Sequence, residues 1–430
     1  MGWTRALGLA LAATLTLPAG AQEVGPSAPE PPIETPGPDV MGIDEARARV
    51  ERHALTVALA RWDREAAQAD VARWTGAALP SIAGFVSLSV GAGLTPFGFP
   101  RPVASQAGVG VSGSVRLLDV STWAAAASAR RSLRGQEATV GWARVQAREQ
   151  ATQLYAVVVG EQAVARALEE ARSSAEEDAR AVDELVAAGL RPSADAARTR
   201  SEVLDLRARS IEARGRATAA CAALQDLMAV EVNGRCVLQP LLEIEPGEGP
   251  LTHPALVAAA EAVAAAQAAQ VSAIGAQLPV VEASGQVAAY AIESGGGPGW
   301  SAGLDVNVPL RILNEGRGEV MAATAARGRA DTALAGQRRA LDAARVGAEA
   351  RFEAARVSVV AREGSVEAAA AALKLVQERY RAGLSNVSAL LDARRAEVDA
   401  RVGLARSRAA RWAALASVES ARGVQGRLAE

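Results

Sequence analysis

The sequence predicts a mainly α-helical fold with a membrane β-barrel portion, built as two copies of one structural half. Three observations predict it. First, the order helix, Leu-Pro, two alternating segments, long Ala-rich helix, Gly-Leu turn, helix runs from about residue 53 to 229 and again from about 253 to 423. One copy reads Ala78-Leu79-Pro80, Arg116-Leu117-Leu118-Asp119 and Ala188-Gly189-Leu190, the other Gln277-Leu278-Pro279, Arg311-Ile312-Leu313-Asn314 and Ala382-Gly383-Leu384. The offset between the copies stays between 194 and 199 residues, too long for a solenoid repeat. Second, four short segments alternate with period two. Third, two proline-free stretches keep heptad spacing.

Residues 1–21 read as a secretory signal: Arg5, the apolar run Ala6 to Leu17, and a small-residue cleavage site at Ala19-Gly20-Ala21. A buried N-terminal helix is the alternative. Residues 22–42 form a proline-rich extended arm, with Pro26, Pro29, Pro31, Pro32, Pro36 and Pro38. The first repeat then spans 43–230, a connector 231–252, the second repeat 253–423 and a tail 424–430.

The strands are expected at about 81–92, 105–118, 280–292 and 300–312. In the first, Ile82, Val86, Leu88 and Val90 share a parity, with Ser81, Ser87 and Ser89 on the other. Val109, Val111, Val115 and Leu117 alternate in the same way with Ser112, Ser114 and Arg116, as do Val281, Ala283 and Val287 with Glu282, Ser284 and Gln286. In the fourth, Trp300, Leu304, Val306, Val308, Leu310 and Ile312 oppose Ser301, Asp305 and Arg311. Period two gives one apolar and one polar face. Each segment is long enough to cross a bilayer as a tilted strand. The Gly- and Pro-rich stretches Gly91–Ser105 and Ile292–Gly299 read as loops joining two hairpins. Four strands cannot close around water, and open edges do not survive in lipid, so several copies of the chain must share one barrel.

Val120 to Ala188 and Glu315 to Ala382 contain no proline, and each would extend roughly 100 Å as one helix. Phe352, Val359, Val366, Leu373 and Tyr380 fall seven apart, as do Leu133, Val140, Ala147 and Leu154, which is coiled-coil spacing. Gly189 and Gly383 end these helices in the left-handed conformation. Ser193 and Ser388 are placed to cap the helices that run back, about 194–229 and 388–423.

Composition excludes several functions. The net charge of −2 presents no basic surface for nucleic acid. Half the residues are hydrophobic but only 3% are aromatic, because alanine supplies the difference, and alanine favours long helices packed closely side by side. His53 and His253 occupy equivalent places in the two copies, which duplication explains better than metal binding. With no Walker motif, Ser-His-Asp set or clustered ligands, the chain reads as no enzyme and as needing no cofactor or metal. Outside the first 21 residues there is no helical run of 18 or more apolar residues. The two cysteines, Cys221 and Cys236, would be oxidised after export, so a disulfide and a pair of unpaired buried thiols are both open.

The duplicated order, the Leu-Pro steps before the strands and the paired tips "AGLRPSADAARTRSEV" and "AGLSNVSALLDARRAEV" resemble the TolC family of outer-membrane efflux proteins, over about residues 44 to 423. The resemblance implies a homotrimer in outer-membrane lipid, each protomer giving four strands to one 12-stranded barrel above a helical periplasmic tunnel. It implies a periplasmic adaptor and an inner-membrane pump of RND, ABC or MFS type as partners, in tripartite efflux or type I secretion. The tips Gly189, Leu190, Ser193, Gly383, Leu384 and Ser388 would meet the adaptor. By position, Tyr380, Asp195 and Asp392 fall on the family's entrance-closing residues. A companion acidic site falls on Ala389 and a linking arginine on Ser385, so part of that pattern is missing. Each gate residue also has a simpler reading: Tyr380 completes a heptad stripe, Asp195 favours a helix N-terminus, and Asp392 could pair with Arg394 or Arg395. The rival for the whole chain is a soluble periplasmic coiled-coil protein with a structural or tethering role. An adaptor, with one central helical hairpin between β domains, fits the duplicated layout less well.

Overall fold

The computed structural model describes residues 40–91, 104–241, 246–247, 249–250, 252–292, 295–309 and 315–424. The signal segment, most of the proline-rich arm, the loop after the first strand and the C-terminal tail lie outside the described residues. Elements follow in the order α1 (Ile43–His53), α2 (Leu55–Ala77), β1 (Ser81–Gly91), β2 (Ala104–Leu118), α3 (Val120–Ala187), α4 (Ser193–Leu227), α5 (Pro254–Gly275), β3 (Val280–Ile292), β4 (Gly295–Asn307), α6 (Glu315–Arg381) and α7 (Val387–Arg422).

The strands form one antiparallel sheet in the order β1-β2-β3-β4, so the two repeats join at its centre through β2 and β3. Register carries the period-two pattern across all four strands. Val86 pairs with Val109, Val111 with Val287 and Val287 with Trp300, which places the apolar sets of both repeats on a single face. That face has no cover among the described residues: Ile82 is 81% exposed, Val86 82% and Trp300 80%. On the other face Gln286 lies opposite Ser112 and Ser301, and Glu282 opposite Arg116 and Asp305. Gly110 allows the close passage of β2 over β3, because a Cβ there would stand 2.6 Å from that of Ala288.

Two strand expectations change. The fourth strand begins at Gly295, inside the stretch read as a loop, and ends at Asn307. Val308 therefore lies beyond it, and Leu310 and Ile312 fall outside the described residues. Near its end β2 shifts register between Arg116 and Leu118, so Leu118 and not Leu117 stands opposite Val281.

Both long helices run unbroken, α3 for 68 residues and α6 for 67. Asp119 starts α3 by accepting from the Thr122 backbone N–H at 3.0 Å and the Thr122 hydroxyl at 2.6 Å. Burial pushes the Asp119 carboxyl up, but these bonds, with those from Ser121 and Arg116, hold it down to about 2. Heptad positions Val140, Ala147, Val359 and Tyr380 are buried. Helix α3 is the spine of the protomer, since α2, α4, α5 and α7 all pack along it, whereas α6 packs on α5 and α7. Helix α5 does have the length and apolarity of a membrane span, with mean hydropathy 1.3, despite Glu261, Gln267, Gln270 and Ser272, which interrupt it. Its hydropathy comes from alanine, and it lies between α3 and α6.

The segments between the repeats gather around the middle of α3. Met41 bridges in parallel to Leu238, and the Tyr155 hydroxyl lies 3.0 Å from the Met41 carbonyl and 2.9 Å from that of Gln239. Buried Arg47 on α1 donates to Glu419 on α7 at 3.0 Å and to Thr152 on α3 at 2.8 Å, while Arg148 pairs with buried Glu51 at 3.3 Å. His253, the N-cap of α5, accepts from the Ala255 N–H at 3.2 Å and lies 3.1 Å from the Ser420 carbonyl. Cys221 on α4 is disulfide-bonded to Cys236 in the connector, with Cα atoms 5.9 Å apart.

Candidate entrance site at the helical tips

The two hairpin turns are built alike. Gly189 has φ +72° and Gly383 φ +75°. In each, the glycine N–H returns to the carbonyl three residues back and the following leucine N–H to the carbonyl five back: Val186 and Leu185 in one, Tyr380 and Arg379 in the other. This is the Schellman closure, which needs a residue free of Cβ strain at the left-handed position. Leu190 and Leu384 are left 70% and 71% exposed at the ends of the hairpins.

Neither expected serine cap forms. Pro192 stands at the N-cap of α4 with no side-chain bond, so Ser193 is already the first helical residue. Asn386 caps α7, its side chain accepting from the Ala389 N–H at 2.8 Å. Asn386 sits one residue before the helix starts, the place from which a side chain reaches the third amide, whereas Ser388 is already inside it. Ser388 instead meets Arg198 of the other hairpin at 3.1 Å.

Tyr380 is buried, 5% exposed, in a cluster with Val182, Ala196, Val387, Leu390 and Leu391. Its hydroxyl is shielded and has no hydrogen-bond partner among the described residues. Asp195 is nearly buried in the first turn of α4. It lies close enough to raise the Tyr380 pKa, an effect smaller than that of burial and opposed by Arg191. The structure thus brings Tyr380 and Asp195 together without a bond between them. Asp392 is exposed. It does not pair with its neighbours: buried Arg394 pairs with Asp178 across the hairpins, and Arg395 with Glu202 at 2.6 Å.

Sequence reasoning missed Arg191. Its guanidinium lies 4.9 Å from the centre of the Tyr380 ring and donates to the Ser385 carbonyl at 3.4 Å. Arg191 follows Gly189 by two residues, as Ser385 follows Gly383. The arginine absent at Ser385 is therefore present at the equivalent position of the other copy, and the internal repeat was the signal that could have found it.

A sheet with a bare apolar face, joined to long helices that end in paired tips, defines the class: an outer-membrane exit duct with a helical periplasmic mouth. The sequence profile of the outer membrane efflux protein family matches residues 46–230 and 251–424. The chain belongs to that family, is a channel of the outer membrane serving efflux, and is not an enzyme. Channels of this family are trimers that work with adaptor and pump partners.

Solved structures agree on the fold. The chain is similar to the Campylobacter jejuni outer membrane channel CmeC, with 18% identity and a TM-score of 0.80 over 89% of this chain and 85% of that one. It is similar to VceC of Vibrio cholerae at 15% identity and a TM-score of 0.80, over 89% and 96%. The open state of the Neisseria gonorrhoeae channel MtrE gives 18% identity and a TM-score of 0.74, over 89% and 88%. No curated protein matches the sequence.

Proposed function

We propose that three copies of this chain close one 12-stranded barrel in the outer membrane, and that the duct conducts cargo passively. An inner-membrane pump of RND, ABC or MFS type supplies the energy, through an adaptor that meets the tips at Gly189, Leu190, Ser193, Gly383, Leu384 and Ser388. The observation that carries this reading is that the protomer is open along two different flanks. Among the described residues, β1, α2 and α4 have no neighbour beyond them on one side, and β4 and α6 have none on the other. Both flanks expose large apolar residues: Leu55, Trp62, Leu204 and Ile211 on one, Val346, Val357, Val360 and Leu375 on the other. Two unlike surfaces that fit one another generate a closed ring by rotation. Closure also removes the sheet edges that lipid does not tolerate.

The entrance is held shut where the two hairpins of each protomer meet. Tyr380, Asp195 and Arg191 form that contact, and Asp392 marks a narrower ring whose charge acts on cargo. The soluble tethering alternative leaves the bare sheet face unexplained. Spin labels at Val109 and Val306, both on that face, are expected to report acyl chains in reconstituted protein, with a trimer in outer-membrane extracts. Labels that report bulk water, or a monomer released by osmotic shock, refute the reading.

A further inference from the structure

Away from the tips and the barrel, a groove of about 840 Å³ lies between α2, α3 and α5, with Gly249, Pro250 and Thr252 of the connector on its rim. Helices of the same chain bound it on both sides, so it does not lie on the flanks left open for neighbouring copies. Arg64 of α2 and Arg134 and Arg144 of α3 line it, together with Glu137 and Glu261.

Two features mark it as a site. The Nε–H groups of Arg64 and Arg144 are both shielded from solvent and have no hydrogen-bond partner among the described residues. A buried donor left unmade is costly, and two of them on one groove call for a shared acceptor. Nearby Arg61 is held below its ordinary pKa by burial first and then by Arg144 and Arg64, which places three guanidinium groups close together. The second feature is Glu137, which lines the same groove and makes no ion pair among the described residues, whereas Glu261 is taken by Arg131 at 3.3 Å and Arg134 at 3.9 Å. Arg64 gives a terminal nitrogen to its neighbour Glu65, but its Nε–H and that of Arg144 stay unmade beside the exposed carboxylate of Glu137, and free cationic donors next to a free carboxylate match a ligand that carries both charges.

We propose that this groove binds a short peptide through its free ends, the terminal carboxylate on Arg64 and Arg144 and the terminal ammonium on Glu137. The guanidinium fork suits a planar carboxylate. A dianionic phosphate would meet Glu137 without compensation. A lipid headgroup is out of reach, because Arg64 lies about 20 Å along the α2 axis from Ala77, on the side away from the sheet. The groove is large enough for a peptide of a few residues.

The test uses the intact trimer in detergent and three probes: tri-alanine, its N-acetylated form and its C-terminal amide. Calorimetric titration is expected to show binding of tri-alanine, weakened at least tenfold by either end modification. Arg64→Ala with Arg144→Ala should weaken tri-alanine at least tenfold and leave the amide unaffected. Glu137→Gln should weaken tri-alanine but not the N-acetylated form. The melting temperature and trimer yield of each variant, measured alongside, separate loss of the site from loss of fold. The proposal is overturned if tri-alanine does not bind the native trimer, if the three probes bind alike, or if folded variants bind as the native protein does.

Discussion

Removing Arg191 tests how the entrance is held. A guanidinium 4.9 Å from a ring centre, over a tyrosine that is itself buried, contributes about 1 kcal/mol. The long bond to the Ser385 carbonyl, at 3.4 Å, adds about 0.5 kcal/mol. Arg191→Ala therefore removes about 1.5 kcal/mol of hairpin-to-hairpin contact per protomer, close to a tenfold change in equilibrium. The three tips of a trimer are separate sites whose losses add when they open together, giving roughly a thousandfold in the closed-to-open ratio. Single-channel recording in planar bilayers reads this directly, and the variant should spend far more time in a high-conductance state. Arg191→Lys keeps the charge but not the flat stacking surface, and should fall between the two. If Arg191→Ala trimers conduct as the native channel does, the contact does not hold the entrance and the reasoning fails.

Three further outcomes follow from the same geometry. Cys221 and Cys236 should take up no alkylating agent without reductant, and changing both to Ser should cost about 3 kcal/mol for a loop of this length; two added labels would rule the bond out. Burial lowers the His253 pKa below its ordinary 6.5, against the opposing pull of the Ser420 carbonyl. The folded state then binds the proton less readily than the unfolded one, so stability is full above pH 6.5 and declines as pH falls through that value towards the lower folded pKa. Melting temperatures between pH 7.5 and 5.5, flatter in His253→Asn, which keeps a good cap, check the sign. Gly110→Val forces a side chain into Ala288, an overpacking cost of about 1–3 kcal/mol, and should lower the yield of membrane-inserted trimer; a native yield would contradict the close strand approach.

The large-scale fold was legible because its signals are periodic and doubled. Alternation in Val281 to Val287 reports a face whatever the neighbouring strand does, and Gly189 and Gly383 announce their turns because left-handed backbone favours glycine. What was not legible depends on partners distant in sequence. Glycines 295 to 297 have no side chains to alternate, so β4 hid its start in what looked like a loop. The shift at Leu117 arises only when β2 is laid against β3. At the tips, Tyr380 and Asp195 could be named by position, but the unbonded hydroxyl of one and the arginine over its ring are products of hairpin packing. Ser193 and Ser388 were misplaced as caps because helix starts can be judged from sequence only to within a residue or two.

The contact between Arg47 and Glu419 has a bearing on how the chain matures. Its two members are 372 positions apart, near opposite ends of the folded portion. Were α1 to settle against α3 before the last helix arrived, Arg47 would be sequestered without its main counter-charge, an expensive intermediate. The segment made first thus has reason to wait, exposed, until synthesis and export of the whole polypeptide are complete, and the midsection is fastened as a late step of folding.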